Sequence, residues 1–225
     1  MPCTAAPGTT MTRMRPDLPA TPPSITTVVF DLGGVLIDWD PRHLYRQMFS
    51  DPQEMEVFLR DVVSPDWNAE QDSGRTWAEA TALLLGEHPE HEPMITAYVE
   101  RWDEMLAGPI KGTVAILEVV RDAGLRIYAL TNWSAETFPR ARPLFPFLEW
   151  FEGIVVSGDE GIRKPDPEIW HRLIARYAIE PATTVYIDDM PYNAVAATDL
   201  GFEAIRFESP EQLRTRLVEL RVLPA

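Results

Sequence analysis

A single cysteine, Cys3, stands in 225 residues, so no internal disulfide can form and the chain fits a reducing, cytoplasmic setting. Basic residues are scarce: 20 Lys and Arg against 35 Asp and Glu give a net charge of −15. That balance excludes the broad cationic surface with which a protein neutralises a nucleic-acid backbone. No stretch approaches the ~20 consecutive apolar residues of a membrane span, so neither nucleic acid nor membrane is expected as a partner. The four histidines offer no zinc cluster; His88 and His91 are close in sequence, but Pro89 interrupts any helix that would align them. Met1 to Ser24 is rich in Pro, Thr and Ala, lacks the apolar run of a signal peptide, and reads as a disordered tail.

What remains is 45% hydrophobic, enough for one α/β core with a smaller appendage. Thr27-Val-Val-Phe30 is a β-branched and aromatic run that meets Asp31 and then the permissive Gly33-Gly34, as a buried parallel strand does where it ends in a turn. Similar runs recur at Arg126 to Leu130, Gly153 to Val156, Thr184 to Ile187 and Ala204 to Phe207. Segments of helical period separate them: Gly112 to Ala123 has Val114, Leu117 and Val120 on one side, and Asp166 to Tyr177 has Ile169, Leu173 and Ile174. Alternation of this kind predicts an α/β fold with a parallel, doubly wound sheet. Between Pro41 and Leu106 the pattern is helical throughout, with breaks near Ser50-Asp-Pro52, Ser64-Pro-Asp66 and Glu87-His-Pro89. The predicted organisation is a core of residues 25–40 and 107–225 interrupted by a helical insertion over 41–106.

An open parallel sheet binds ligands at the carboxyl ends of its strands. Asp31 ends the first strand, Thr131-Asn132 the second and Asp188-Asp189 the fourth, while Lys164 lies in the loop after the third. Carboxylates brought together at one edge disfavour one another's ionisation unless a cation compensates. A divalent metal is therefore implied, and an all-oxygen donor set suits Mg²⁺. Lys164 adds a positive point charge, and Thr131 and Asn132 offer donors to an anion's oxygens. Such a group of residues activates an anion for transfer to a carboxylate nucleophile.

Four segments in chain order resemble the motifs of the haloacid dehalogenase superfamily: Phe30-Asp-Leu-Gly-Gly-Val-Leu36, Leu130-Thr-Asn-Trp-Ser134, Ser157 through Glu168, and Ile187-Asp-Asp-Met-Pro-Tyr-Asn193. The resemblance implies a Rossmann-like core with an inserted helical cap of the C1 type. By the same resemblance Asp31 is the nucleophile and a metal ligand, and Lys164 neutralises charge on it and on the phosphoryl group. Thr131 and Asn132, with Gly33 and Gly34, hold the phosphoryl oxygens. The Gly33 carbonyl, Asp188 and Asp189 complete a magnesium site, and Asn193 matches a polar position of the fourth motif. The implied substrate is a small phosphorylated metabolite, handled by a monomer or homodimer.

The phosphatases of that superfamily carry a second aspartate two places after the nucleophile, acting as general acid and base. Here the position is Gly33. Asp38 and Asp40 are candidates to replace it, and the Asp-Leu-Gly-Gly form is similar to the glucose-1-phosphate phosphatase and epoxide hydrolase N-terminal phosphatase subgroup. The expected activity is Mg²⁺-dependent hydrolysis of a small phosphate monoester, such as a sugar phosphate, through an aspartyl phosphate. Metal-independent 2-haloacid dehalogenation and an inactive binding protein are the alternatives. Trp77 and Trp102 are expected in the core, Trp39 between core and cap or facing substrate, and the polar run Trp67 to Arg75 over the site, with Arg75 either reaching substrate or pairing at the surface.

Overall fold

Thr27–Phe30 forms β1 in a computed structural model that describes residues 24–224; of the expected tail only Ser24 falls within them. All four β1 residues are buried, because this strand lies at the middle of a five-stranded sheet. The other strands are β4 (Arg126–Thr131), β5 (Gly153–Val156), β6 (Thr184–Asp188) and β7 (Glu203–Arg206), numbered in chain order after a two-stranded ribbon, β2 (Ile37–Trp39) and β3 (Leu106–Pro109). Sheet order is β5-β4-β1-β6-β7, and every pairing in it is parallel. The five strands thus stand within a residue of where their apolar runs predict.

Alternation along β1 separates two cores. Val28 and Phe30 join the larger cluster, whereas Val29 packs with Ile169, Trp170 and Leu173 on the opposite face. In chain order the helices are α1 (Arg42–Tyr45), α2 (Pro52–Asp61), α3 (Pro65–Gln71), α4 (Trp77–Glu87), α5 (Glu92–Glu100), α6 (Lys111–Asp122), α7 (Phe138–Ala141), α8 (Ser157–Glu160), α9 (Pro167–Tyr177), α10 (Pro191–Asp199) and α11 (Pro210–Glu219). The first five lie between β2 and β3. Their boundaries follow from capping: Asp51 accepts the Gln53 amide, Ser64 the Trp67 amide, and Thr76 closes a capping box with Glu79. Pro52 and Pro65 occupy first-turn positions, where a missing N–H costs nothing.

The ribbon β2/β3 is a structural feature the sequence pattern did not predict. Its residues pair antiparallel, Ile37 with Pro109 and Asp38 with Gly108, so the chain leaves for the helical insertion and returns at one place. Ile110 N–H donates to Leu36 O at 2.8 Å and Asp40 N–H to Met105 O at 3.0 Å, fastening the two ends. Among the described residues no helix is long and apolar enough to cross a membrane.

Candidate active site

Topology brings the ends of β1, β4 and β6 to one edge. There Lys164, wholly buried, places Nζ 2.9 Å from Asp31 Oδ2 and 2.7 Å from Asp188 Oδ2. Its third donor goes to Leu130 O at 3.0 Å. Burial opposes the ammonium charge, but Asp188 and Asp31 outweigh it and hold the lysine above its ordinary pKa.

Asp188 is fixed on all sides. Oδ2 also accepts from the Tyr186 hydroxyl at 2.7 Å, and Oδ1 accepts from Met190 N and Asn193 Nδ2, each at 2.9 Å. Asn193 therefore serves the site by orienting Asp188. Oxygens of Asp31, Asp188 and Asp189 lie within 4.8 Å of one another, a hard-donor set that fits a divalent cation such as magnesium.

Asp31 takes a 2.7 Å hydrogen bond from the Leu32 amide. Burial, reinforced by Asp188 and Asp189 and opposed by Lys164, pushes its carboxyl up to about 8. Burial and Asp188 likewise raise Asp189. Either a proton on one carboxyl or a bound cation relieves such like-charge crowding.

Two of the expected phosphoryl contacts also have structural duties. The Asn132 side chain accepts the Lys164 amide at 2.8 Å and donates to Lys164 O at 3.0 Å, so it ties down the lysine loop with one of its two N–H donors while bordering the cavity. The Gly34 amide is spent on Ile37 O at 2.9 Å. Gly34 instead supplies room: its φ is +72°, and a Cβ there would lie 2.6 Å from Asp189 Oδ2. Thr131 Oγ1 is buried and has no hydrogen-bond partner among the described residues.

A cavity of about 570 Å³ opens over these groups, with Asp31, Gly33, Lys164 and Asp189 on the sheet side and Asn68 and Asp72 on the insertion side. Beside it lies a recess walled by Trp39, Trp77, Trp102 and Trp133. Trp77 and Trp102 are core residues, as expected, but they also wall the recess; Trp39 borders both spaces. Arg75 does not reach the site, being committed to Gln71 Oε1 at 2.6 Å and Trp67 O at 2.9 Å. Asp38 pairs with His43 at 3.0 Å, and Asp40 accepts the Arg42 amide at 2.9 Å. Asp72, Asn68 and Arg163 border the cavity without having been picked out individually from the sequence. The hints were the polar run at 67–75 for Asn68 and Asp72, and the motif from Ser157 to Glu168 for Arg163.

Fold and site together belong to the doubly wound α/β enzymes. More narrowly, the chain belongs to the haloacid dehalogenase-like hydrolases, whose family model matches residues 25–201. It is 25% identical over 173 residues to the sesquiterpene phosphatase astK of Aspergillus oryzae, a match covering 77% of this chain and 85% of that one. It is 26% identical over 115 residues to flavin mononucleotide hydrolase 1 of Arabidopsis thaliana, covering 50% and 46% of the two chains. A haloacid dehalogenase family enzyme of Bacteroides thetaiotaomicron, solved with magnesium and inorganic phosphate, superposes with a TM-score of 0.62 at 22% identity over 83% of this chain and 96% of that one. The L-2-haloacid dehalogenase of Xanthobacter autotrophicus superposes with a TM-score of 0.57 at 20% identity, over 89% and 85%. These two superpositions speak to the fold alone.

Proposed function

We propose that the protein is a Mg²⁺-dependent phosphatase acting on a small phosphate monoester through a covalent phosphoryl group on Asp31. The observation that carries this reading is the Lys164 ammonium shared between Asp31 and Asp188, with Asp189 completing a trio of carboxylates within 4.8 Å. The match to a named phosphatase over most of both chains supports it.

Asp31, Asp188, Asp189 and the Gly33 carbonyl would hold the ion, which when bound supplies charge neutralisation for the phosphoryl oxygens. Asp31 attacks phosphorus as the bond to the leaving oxygen breaks. Lys164 opposes the burial that favours protonated Asp31, the bound ion would complete its ionisation, and Lys164 with the unpartnered Thr131 hydroxyl stabilises charge on the phosphoryl group. A water then attacks the same phosphorus, breaking the bond to Asp31 and returning it as a carboxylate. Residues 41–106 act as a cap that opens for substrate and closes to limit water during transfer.

The reading also favours phosphoryl transfer over halide displacement. A metal-free site gains nothing from placing Asp189 beside Asp31, and the pair would repel a substrate carboxylate. Phosphate release from an aryl phosphate and from a panel of small phosphate esters, with Mg²⁺ or with chelator, tests it. Turnover that needs the ion supports the proposal, whereas chloride release from 2-chloropropionate in the presence of chelator would replace it with the dehalogenase reading.

A further inference from the structure

Gly33 stands two places after Asp31 and carries no functional group, yet its surroundings are roomy. A Cβ at Gly33 meets nothing within 4 Å, and Gly33 borders both the catalytic cavity and the tryptophan recess. The space in which a proton donor would be needed is therefore open, and it has to be served from elsewhere.

Asp72 borders the same two spaces. It follows α3 in the helical insertion, so it faces the carboxyl edge of the sheet from the opposite wall. A chain of hydrogen bonds aims it: the Tyr98 hydroxyl donates to Asn68 Oδ1 at 2.9 Å, and Asn68 Nδ2 donates to Asp72 Oδ2 at 3.3 Å. Of the acidic residues that border the catalytic cavity, the others are committed. Asp31 and Asp189 belong to the carboxylate trio, Asp38 pairs with His43, and Asp40 accepts the Arg42 amide and pairs with the Arg42 guanidinium. Asp72 forms no ion pair within 4 Å among the described residues. Tyr192, which also borders the cavity, has its phenol held above the ordinary value by burial and is a poor donor at neutral pH.

The recess indicates where a leaving group sits. Trp77 Nε1, Trp133 Nε1 and Thr137 Oγ1 are all buried without hydrogen-bond partners, and all three residues border that recess. Three unsatisfied donors in one small space call for acceptor oxygens. A leaving group bearing hydroxyl or carboxyl oxygens fits, with its bridging oxygen at the junction between the two spaces, both of which Asp72 and Gly33 border.

We propose that Asp72, carried on the helical insertion, is the acid and base of this reaction in place of the carboxylate that Gly33 lacks. The inference rests on the phosphatase reading. As Asp31 forms its bond to phosphorus, the bond from phosphorus to the bridging oxygen breaks and Asp72 gives its proton to that oxygen, releasing a neutral alcohol. The Asp72 carboxylate then takes a proton from the water that attacks the phosphoryl group on Asp31. Phosphate leaves, and Asp72 is again protonated. Burial pushes Asp72 up to about 7 against the opposing charges of Arg163 and Lys164, which suits a group that must give and take a proton near neutrality.

Leaving-group dependence tests the assignment. The wild-type enzyme with Mg²⁺ is assayed on an aryl phosphate, whose phenolate departs unaided, and on an alkyl or polyol phosphate, whose alkoxide needs a proton. Silence of the wild type on both, together with no phosphoryl group on Asp31, removes the phosphatase reading and this inference with it. Given wild-type turnover, Asp72→Asn is expected to lower kcat on the alkyl ester by ~10²–10⁴-fold while lowering it on the aryl ester by less than about tenfold. An equal loss on both esters, or no loss on the alkyl ester, overturns the assignment and leaves Asp72 a structural residue. Retained aryl turnover shows in the same sample that the variant is folded. Adding Gly33→Asp to Asp72→Asn is expected to restore alkyl turnover, because the position has room and no positive φ; failure to restore it overturns the claimed equivalence of the two positions.

Discussion

Lys164 Nζ lies 2.9 Å from Asp31 Oδ2, with both side chains withdrawn from solvent. The lysine cannot be traded for a neutral residue without leaving two carboxylates facing each other. Lys164→Met is expected to lower kcat by about 10²–10³-fold, the scale of removing one preorganised charge-stabilising donor. Its cost in stability should fall below the roughly 3–5 kcal/mol of an orphaned buried charge, since Asp31 can take up a proton instead. Steady-state kinetics and urea melts measure the two effects, and retained turnover would contradict the role given to Lys164.

Asp31 also sets a pH dependence of folding. Its carboxyl is raised from 3.8 to about 8, so between those values the folded chain holds a proton that the unfolded chain has released. Stability linked to this group is therefore fully present at the acid end of that window and is lost as pH rises through it. Thermal melts in chelator should show the wild type losing Tm towards pH 8 more steeply than Asp31→Asn. Mg²⁺ should raise the wild-type Tm most at the alkaline end, because it binds the ionised trio and only in the folded state. Parallel melting curves for the two proteins would contradict this.

Gly34 is held in a left-handed conformation against Asp189. Gly34→Ala adds a methyl where only a displaced carboxylate would make room, and the conformation itself costs ~1–2 kcal/mol for a residue with a Cβ. The expected result is a lower Tm by several degrees together with a raised Mg²⁺ requirement for turnover. Unchanged metal dependence would show that Asp189 stands outside the ion's reach.

Much of this arrangement is legible in the sequence because parallel strands buried on both faces must be continuous apolar runs. Asp31, Thr131 and Asp188 stand at strand ends, and a doubly wound sheet has only one carboxyl edge to which those ends lead. The ribbon of Ile37–Trp39 with Leu106–Pro109 escapes notice for the opposite reason. Its strands are short, contain Gly108 and Pro109, and pair across the whole insertion, so neither length nor alternation marks them. The part Asn132 plays in tying down the lysine loop shows only once that loop is folded onto its side-chain amide. Asp72 reads as a polar helix end, and only the fold of α3 over the sheet brings it to the cavity.

The most direct test of the central claim is the mass of the intact protein after mixing with a phosphate ester and Mg²⁺ and quenching in acid, followed by peptide mapping. The account predicts one added phosphoryl group, located on Asp31, absent when chelator replaces the ion and absent in Asp31→Asn. Phosphate release that proceeds with no phosphoryl group on Asp31, or that persists undiminished in Asp31→Asn, would contradict it.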